Sequence, residues 1–459
     1  MKKKYSPITR QFDFNKNIIP KIIEEIRKAE EYIRIAIFQL HSEEVFDILN
    51  KKLSEKVKVE VITLPYDSIN EDVRIEVEKR FKNLIKNGAK VMFNKWNIGE
   101  PERTATVVGR WYLFHGKFII TDKCAIILSA NFTNSSELDA MLVYYDEKKV
   151  EEFNKKFDEL LELFITPYNG FDGKIRSKII GSGNSQANND IFIIPRGVQP
   201  GLYDRNWILQ YPPEICPENV SINERLYITP FDCRGRNFIQ DIIKAAQKYV
   251  YISTETFTDE EFPLFIEKIK LEGIEIKILT GYTSMDYTER VQETIKNLIA
   301  AGIDVRATEE DLHAKLIITD KHVVIDSVNL NKMNLGFKKT GNFWRENTET
   351  IDVCSDISIL EDAKHKYNII FDKSRDIIDK IKEKNINVAG KILKKIFEVR
   401  SNDDAKLFLS GLLIKSDVKN RIYIFNIIKE AIRLSQQNGE RTITKEHLEE
   451  AVRRSAKAS

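Results

Sequence analysis

The stretch HGKFIITDK at residues 115–123 returns almost unchanged as HAKLIITDK at residues 313–321, with seven of nine positions identical. Moving upstream from each copy, FKNLIKNGAKV (81–91) parallels IKNLIAAGIDV (295–305), and VKVEVITL (57–64) parallels IEIKILTG (274–281). Further still, EYIRIAIFQL (31–40) parallels KYVYISTETF (248–257). Self-similarity over so long a span marks a duplicated unit. Each copy predicts an amphipathic helix, a β-rich apolar strand, a helix, a strand, a helix ending at Gly88 or Gly302, and a strand. The H-x-K strand follows, then one more strand, and closing helices over about 147–164 and 357–374. Alternating helices and strands predict α/β layers around a sheet, in two lobes of ordinary domain size.

Spacing locates two insertions. Gly88 to His115 is 27 positions and Gly302 to His313 is 11, so lobe one carries 16 extra residues, around NKWNIGEPERTATVVGRW. Lobe two carries its extra residues after Asn329, in NKMNLGFKKTGNFWREN. Both insertions abut the chemical motifs and are expected at a site mouth; two plain solvent loops are the simpler reading. The predicted division is lobe one (1–165), an inter-lobe connection rich in Gly, Asn, Ser and Pro (166–222) with a strand at IFIIP (191–195), lobe two (223–375) and a helical C-terminal domain (376–459) without strands.

The chain has 459 residues, 31% of them charged, and a formal net charge of +2. That charge does not select a polyanion partner, so any nucleic-acid surface must be a local patch. Cys124, Cys216, Cys233 and Cys354 lack C-x-x-C spacing and a nearby His, which argues against a zinc site or a disulfide framework. A reducing cytoplasm is the default location. The N-terminus MKKKYSPITRQFDFN has no apolar run behind its basic residues, and the longest apolar runs are strand-sized, so no signal peptide and no membrane span are expected.

The repeated motif is H-x-K-x4-D followed by Ser-x-Asn. Its residues are His115, Lys117, Asp122, Ser129 and Asn131 in lobe one, and His313, Lys315, Asp320, Ser327 and Asn329 in lobe two. On a strand, positions i and i+2 share a face, so each His projects with its Lys. A neutral imidazole, with an ordinary pKa of about 6.5, can attack phosphorus, and a protonated one can donate to the leaving oxygen. Two ammonium groups and two amides can hold the non-bridging oxygens. This set does the work of a metal pair, and no metal or other cofactor is expected. A lone His on a strand face is more often a packed residue. Two of six His opening the same pattern in matching places is another matter, since one match arises by chance on the order of once in a hundred.

The paired H-x-K-x4-D pattern resembles the phospholipase D superfamily over roughly residues 15–375. The resemblance implies two α/β/α lobes related by a pseudo-twofold axis, a site at their interface and a phosphohistidine intermediate. It implies His115 as nucleophile and His313 as general acid, with Asp122 and Asp320 as structural supports. In nucleases of that family a further acidic residue orients a His; Asp139 and Glu349 occupy comparable places. Where the family usually has Gly before the Ser, this chain has Leu128 and Asp326, the latter adding a negative charge.

The lobe-two insertion interleaves cations and aromatics (Lys332, Phe337, Lys338, Lys339, Phe343, Trp344, Arg345), a composition suited to phosphate contact and base stacking. A solvated basic loop with a buried Trp is its bland counterpart. In lobe one Arg103, Arg110, Trp111 and Tyr112 are placed to serve similarly. The C-terminal sequence predicts a short helix from Ser401-Asn402-Asp403, a long helix from about Lys419 to Gln437 stopped by Gly439, and a last helix from Thr444. This short-long-short order is similar to a histone fold. The lid domain of AAA-type ATPases and a plain helical cap are the rivals. The histone resemblance implies a homodimer with Arg441 and Thr442 facing DNA, and a Glu440–His447 pair with reversed charges. The expected activity is a metal-independent nuclease, DNA favoured, with an ATPase or helicase as a conceivable partner. A phospholipase or phosphatidyltransferase and a DNA-binding protein with a silent site are the alternatives.

Overall fold

The computed structural model describes residues 9–16, 18–63, 71–93, 114–133, 137–165, 178–179, 192–193, 220–229, 231–255, 259, 261–281, 289–338, 344–345, 347–377, 400–401, 403–415, 421–440 and 442–458. Lobe one contributes β1 (Arg10–Lys16), β2 (Tyr32–Ile37), β3 (Lys58–Thr63), β4 (Lys90–Phe93), β5 (Lys117–Thr121), β6 (Ala125–Leu128) and β7 (Leu138–Tyr144). The pairs β8 (Lys178–Ile179) and β9 (Phe192–Ile193) extend its sheet, which runs β1-β7-β6-β5-β2-β3-β4-β9-β8. Lobe two contributes β10 (Leu226–Ile228), β11 (Tyr249–Thr254), β12 (Glu275–Gly281), β13 (Asp304–Thr308), β14 (Leu316–Thr319) and β15 (Val323–Asp326). A small hairpin, β16 (Phe337–Lys338) with β17 (Trp344–Arg345), precedes β18 (Thr350–Cys354) and β19 (Arg375–Asp376). The second sheet runs β10-β18-β15-β14-β11-β12-β13-β19, so seven strands match position for position between the lobes.

The sequence pattern explains the two mixed sheets. Helices Glu43–Ser54 and Glu71–Lys86 separate β2, β3 and β4, and long crossovers suit their parallel pairing. Short turns suit the antiparallel β5–β6 pair. Gly88 and Gly302 end the equivalent helices with φ of +109° and +79°, a region that favours glycine. Both lobes contain two strands that were not expected, the acid-bearing β7 or β18 and the edge strand β1 or β10, and lobe two adds β19 and the hairpin β16–β17. Strand β7 is buried along its whole length and so lacks a two-residue alternation. Strand β1 does alternate, but its partner lies far along the chain, with Arg10 opposite Tyr144.

Alternation along the H-x-K strands sorts the core. Phe118 and Ile120 face a core shared with Leu316 and Ile318 of lobe two, while Ile119 and Ile317 face the private cores of their own lobes. The shared core also takes up the closing helices Glu147–Ile165 and Ile357–Lys373, through Phe153, Phe157, Tyr367 and Phe371. A single apolar layer of this size makes the two lobes one packed body.

In the C-terminal part, helices Asp403–Lys415, Arg421–Gln437 and Lys445–Ala458 enclose Leu409, Ile427, Ala431 and Leu448. Gly439, with φ +73°, follows the long helix. The strand-free expectation is corrected: β20 (Arg400–Ser401) pairs in parallel with β21 (Thr442–Ile443). Two residues per strand leave no periodicity to read. His447 lies 3.8 Å from Glu440, and its Nδ1 accepts the Thr444 backbone N–H at 3.1 Å, capping the last helix.

Candidate active site

Two β-bridges carry the chain across the lobe boundary: Phe114 with Thr348, and Leu138 with Leu312. The backbone N–H of His115 donates to Thr348 at 2.7 Å, and that of His313 to Leu138 at 3.0 Å. Each histidine therefore sits against the acid-bearing segment of the other lobe. The close approach also explains one difference between the copies. A Cβ at Gly116 would meet Thr350 Cγ2 at 2.5 Å and the Phe114 ring at 2.7 Å, so glycine stands where lobe two has Ala314.

The acids complete the crossing. His115 Nδ1–H donates to Glu349 Oε2 at 2.8 Å and to the Ser327 carbonyl at 2.9 Å. His313 Nδ1–H donates to Asp139 Oδ1 at 3.0 Å. Carboxylate and carbonyl acceptors fix a hydrogen on Nδ1 of each ring and leave Nε2 as the nitrogen available to a ligand. The acids are themselves held: Ser129 Oγ donates to Asp139 at 2.8 Å, Ser327 Oγ to Glu349 at 2.5 Å, and Asn334 Nδ2 to the second Glu349 oxygen. Each Lys ammonium donates to the carbonyl of its own His, at 2.9 Å for Lys117 and 2.7 Å for Lys315. Asn131 Oδ1 and Asn329 Oδ1, at equivalent positions, are buried and make no hydrogen bond, as expected of groups kept for a ligand.

The structure thus brings together His115, His313, Lys117, Lys315, Ser129, Ser327, Asp139 and Glu349 as one cluster, with both histidines only 7% exposed. Asp122 and Asp320 lie elsewhere. Asp122 accepts the N–H of Glu30 at 2.9 Å and Asp320 that of Gln247 at 2.8 Å, each fastening the turn that enters β2 or β11. Lys338, Trp344 and Arg345 fall on the hairpin β16–β17, and Thr442 on β21. Arg103, Arg110, Trp111, Tyr112, Lys339, Phe343 and Arg441 lie outside the described residues.

Burial governs the electrostatics. It pushes His115 down to about 4, against the pull of Glu349, with Lys117 adding to the fall. It pushes Lys117 down to about 7, helped by the charge of Lys315. It pushes Asp326 up to about 8. The negative charge expected from Asp326 is therefore corrected: near neutral pH this carboxyl carries a proton, and it accepts the Val328 N–H at 2.8 Å. Burial also raises Asp139, but the neighbouring His313 and Lys315 outweigh it and hold the carboxyl below its usual value.

Four contributors escaped the sequence reading. Phe38 packs its ring edge-to-face with His115, with centroids 4.4 Å apart. Glu255, at the end of β11, bonds Lys315 Nζ at 3.0 Å and lies 3.7 Å from His313 Nε2. Asn334 clamps Glu349, and Glu137 flanks Asp139. The aligned repeats already set Phe38 opposite Glu255. Glu137, Asp139 and His313 are also the one group of three potential metal ligands among the described residues. Within it Asp139 is already engaged by His313 and Ser129.

The protein-family model described as cardiolipin synthase, PLD-like domain, matches residues 22–161 and 239–373, one stretch per lobe. Comparison with curated proteins finds no match. Among solved structures, phosphatidylserine synthase from Haemophilus influenzae Rd KW20 aligns with a TM-score of 0.55 and 15% identity, over 81% of this chain and 88% of that one, a likeness of fold. Nuc of Salmonella typhimurium, a phospholipase D family member, is 18% identical over 33% of this chain and 95% of its own, with a TM-score of 0.28. Polyphosphate kinase from Porphyromonas gingivalis is 10% identical with a TM-score of 0.44. The alignment covers 78% of this chain and only 50% of the kinase.

Proposed function

The chain belongs to the family of phospholipase D-like domains, and from that premise we propose that it is a metal-independent phosphodiesterase acting through a phosphohistidine. The observation that carries this reading is the crossed pair of Nδ1-anchored histidines with two buried lysines beside them. In the first step His115 Nε2 attacks phosphorus, the bond to the leaving oxygen breaks, and His313 Nε2–H protonates that oxygen. In the second step water attacks the phosphohistidine, the P–N bond breaks, and His313 takes the water proton. Lys117, Lys315, Asn131 and Asn329 hold the non-bridging oxygens. Glu349 and Asp139 keep the rings in their tautomers.

We further read the substrate as nucleic acid, with DNA favoured. The basic and aromatic hairpin around Lys338 and Trp344 supports this, as does the similarity of the C-terminal helices to a histone fold. The same reading takes the protein to be cytoplasmic, pairs two copies through residues 376–459 and admits an ATPase or helicase partner. Phosphatidyl-group chemistry is the second reading, favoured by the family description. No helix among the described residues is long and apolar enough to cross a membrane. Labelled single- and double-stranded DNA and RNA are to be incubated with the protein in excess EDTA, beside phospholipid vesicles. Cleavage of nucleic acid in EDTA is expected. Loss of activity in EDTA with recovery on adding magnesium would overturn the metal-independent mechanism. Release of lipid headgroup alone would select the second reading.

The acid–base behaviour follows from the two strongly shifted groups. His115 attacks only when neutral, so kcat/KM falls as pH drops through about 4. Lys117 holds phosphate only when charged, so kcat/KM falls as pH rises through about 7. A bell with its maximum on the acid side of neutrality is expected. A maximum above pH 8, measured as a full kcat/KM profile, would contradict the assignment.

A further inference from the structure

The two halves of the site are not equivalent, and the difference lies in what surrounds each histidine. Position for position, Phe38 in lobe one corresponds to Glu255 in lobe two, and Asn347 near Glu349 corresponds to Glu137 near Asp139. His115 has an aromatic ring at 4.4 Å, one hydrogen-bonded carboxylate, Glu349, and the Lys117 ammonium two residues along its own chain, 3.4 Å from Nδ1. His313 faces Asp139 on β7, Glu137 just before it, Glu255 at the end of β11, and the Lys315 ammonium two residues along its own chain. Glu255 Oε2 lies 3.7 Å from His313 Nε2, and the same oxygen holds Lys315 at 3.0 Å.

We infer that Glu255 is a positioning residue that gives the site its direction: its carboxylate, beside His313 Nε2 and the Lys315 ammonium, orients His313 as the donor to the leaving oxygen, while Phe38, at the matching place in lobe one, leaves His115 as the nucleophile. This rests on the phosphodiesterase reading above. A carboxylate beside an imidazole favours the imidazolium, and an apolar ring disfavours it. Glu255 also engages the Lys315 ammonium, whereas no carboxylate bonds Lys117 among the described residues; it has the His115 carbonyl and the Phe38 ring instead.

The test compares wild type, Glu255→Gln and Glu255→Phe on two phosphodiesters of the same acid, one with a p-nitrophenyl leaving group and one with an alkyl leaving group. Glutamine keeps the shape and the hydrogen bond to Lys315, so it separates charge from folding; phenylalanine recreates the lobe-one environment. A leaving group that departs unprotonated needs little help from an acid. Both variants are expected to lose about 10- to 100-fold in kcat/KM on the alkyl ester, the size of losses when an orienting partner of an active-site group is removed. On the p-nitrophenyl ester the loss should be much smaller, and the alkaline limb of the alkyl profile, set by Lys117, should move to lower pH because the Glu255 charge also supports that ammonium. Quenched p-nitrophenyl reactions should carry the phosphoryl group, with its remaining ester substituent, on His115 by mass spectrometry. Equal losses on both esters, or label on His313, would overturn the inference while leaving the phosphodiesterase reading standing. Failure of the wild type to cleave either ester would remove that reading and the inference with it.

Discussion

Alanine in place of His115 or of His313 is expected to lower turnover by about 10⁴-fold or more, the scale on which loss of a nucleophile or its proton donor acts. The fold should survive either change, because the acids that lose a partner keep others. Glu349 still accepts from Ser327 Oγ and Asn334, and Asp139 from Ser129 Oγ. Single-turnover cleavage, run beside a denaturant titration of each variant, separates the two effects. Activity close to wild type in either variant would sink the two-histidine mechanism. An unchanged rate only in an unfolded protein is not an available outcome, so the pair of measurements decides.

The largest effect on stability is expected away from the reacting atoms, at Arg236→Ala. Arg236 is buried and forks onto Asp259, with contacts of 2.8 Å and 2.5 Å, and its Nε donates to the Gly336 carbonyl at 3.0 Å. Asp259 also accepts the N–H groups of Glu261 and Phe262 at the start of helix Glu261–Leu271. Removing the guanidinium strands a buried carboxylate, which costs about 3–5 kcal/mol in comparable cases. The Gly336 carbonyl ends the short helix Lys332–Leu335 that presents Asn334 to Glu349. The variant should therefore unfold at lower denaturant and also show reduced kcat before it unfolds. A midpoint within experimental error of wild type would mean that this pair contributes nothing.

Much of this site could be read from the chain because its chemistry is local. His115 and Lys117, or His313 and Lys315, lie two residues apart on a strand, and one period places both on a face. The repeat then doubled the information. What escaped was non-local. No property of LDAMLVY announces that Asp139 serves the histidine of the other lobe, since that contact depends on how two separately folded sheets meet. The same holds for Glu349 and His115, which are 234 positions apart. Asp326 was misjudged for a related reason. Its residue type carries a charge, and only its burial removes it. Phe38 and Glu255 were visible as a mismatch between aligned repeats, but their meaning required their contacts with the two histidines.

The crossed wiring also bears on how such a molecule can change over generations. A lobe of this design, taken alone, owns half of each catalytic couple and completes nothing. It can work only face to face with a second lobe, and if that second lobe were an identical chain, every substitution would strike both sides at once. Two copies on one polypeptide escape that symmetry. One histidine can acquire an aromatic neighbour and the other an acidic one, each alteration inherited separately. The division of labour at Phe38 and Glu255 is a freedom that gene fusion confers and that a symmetric pair of chains does not have.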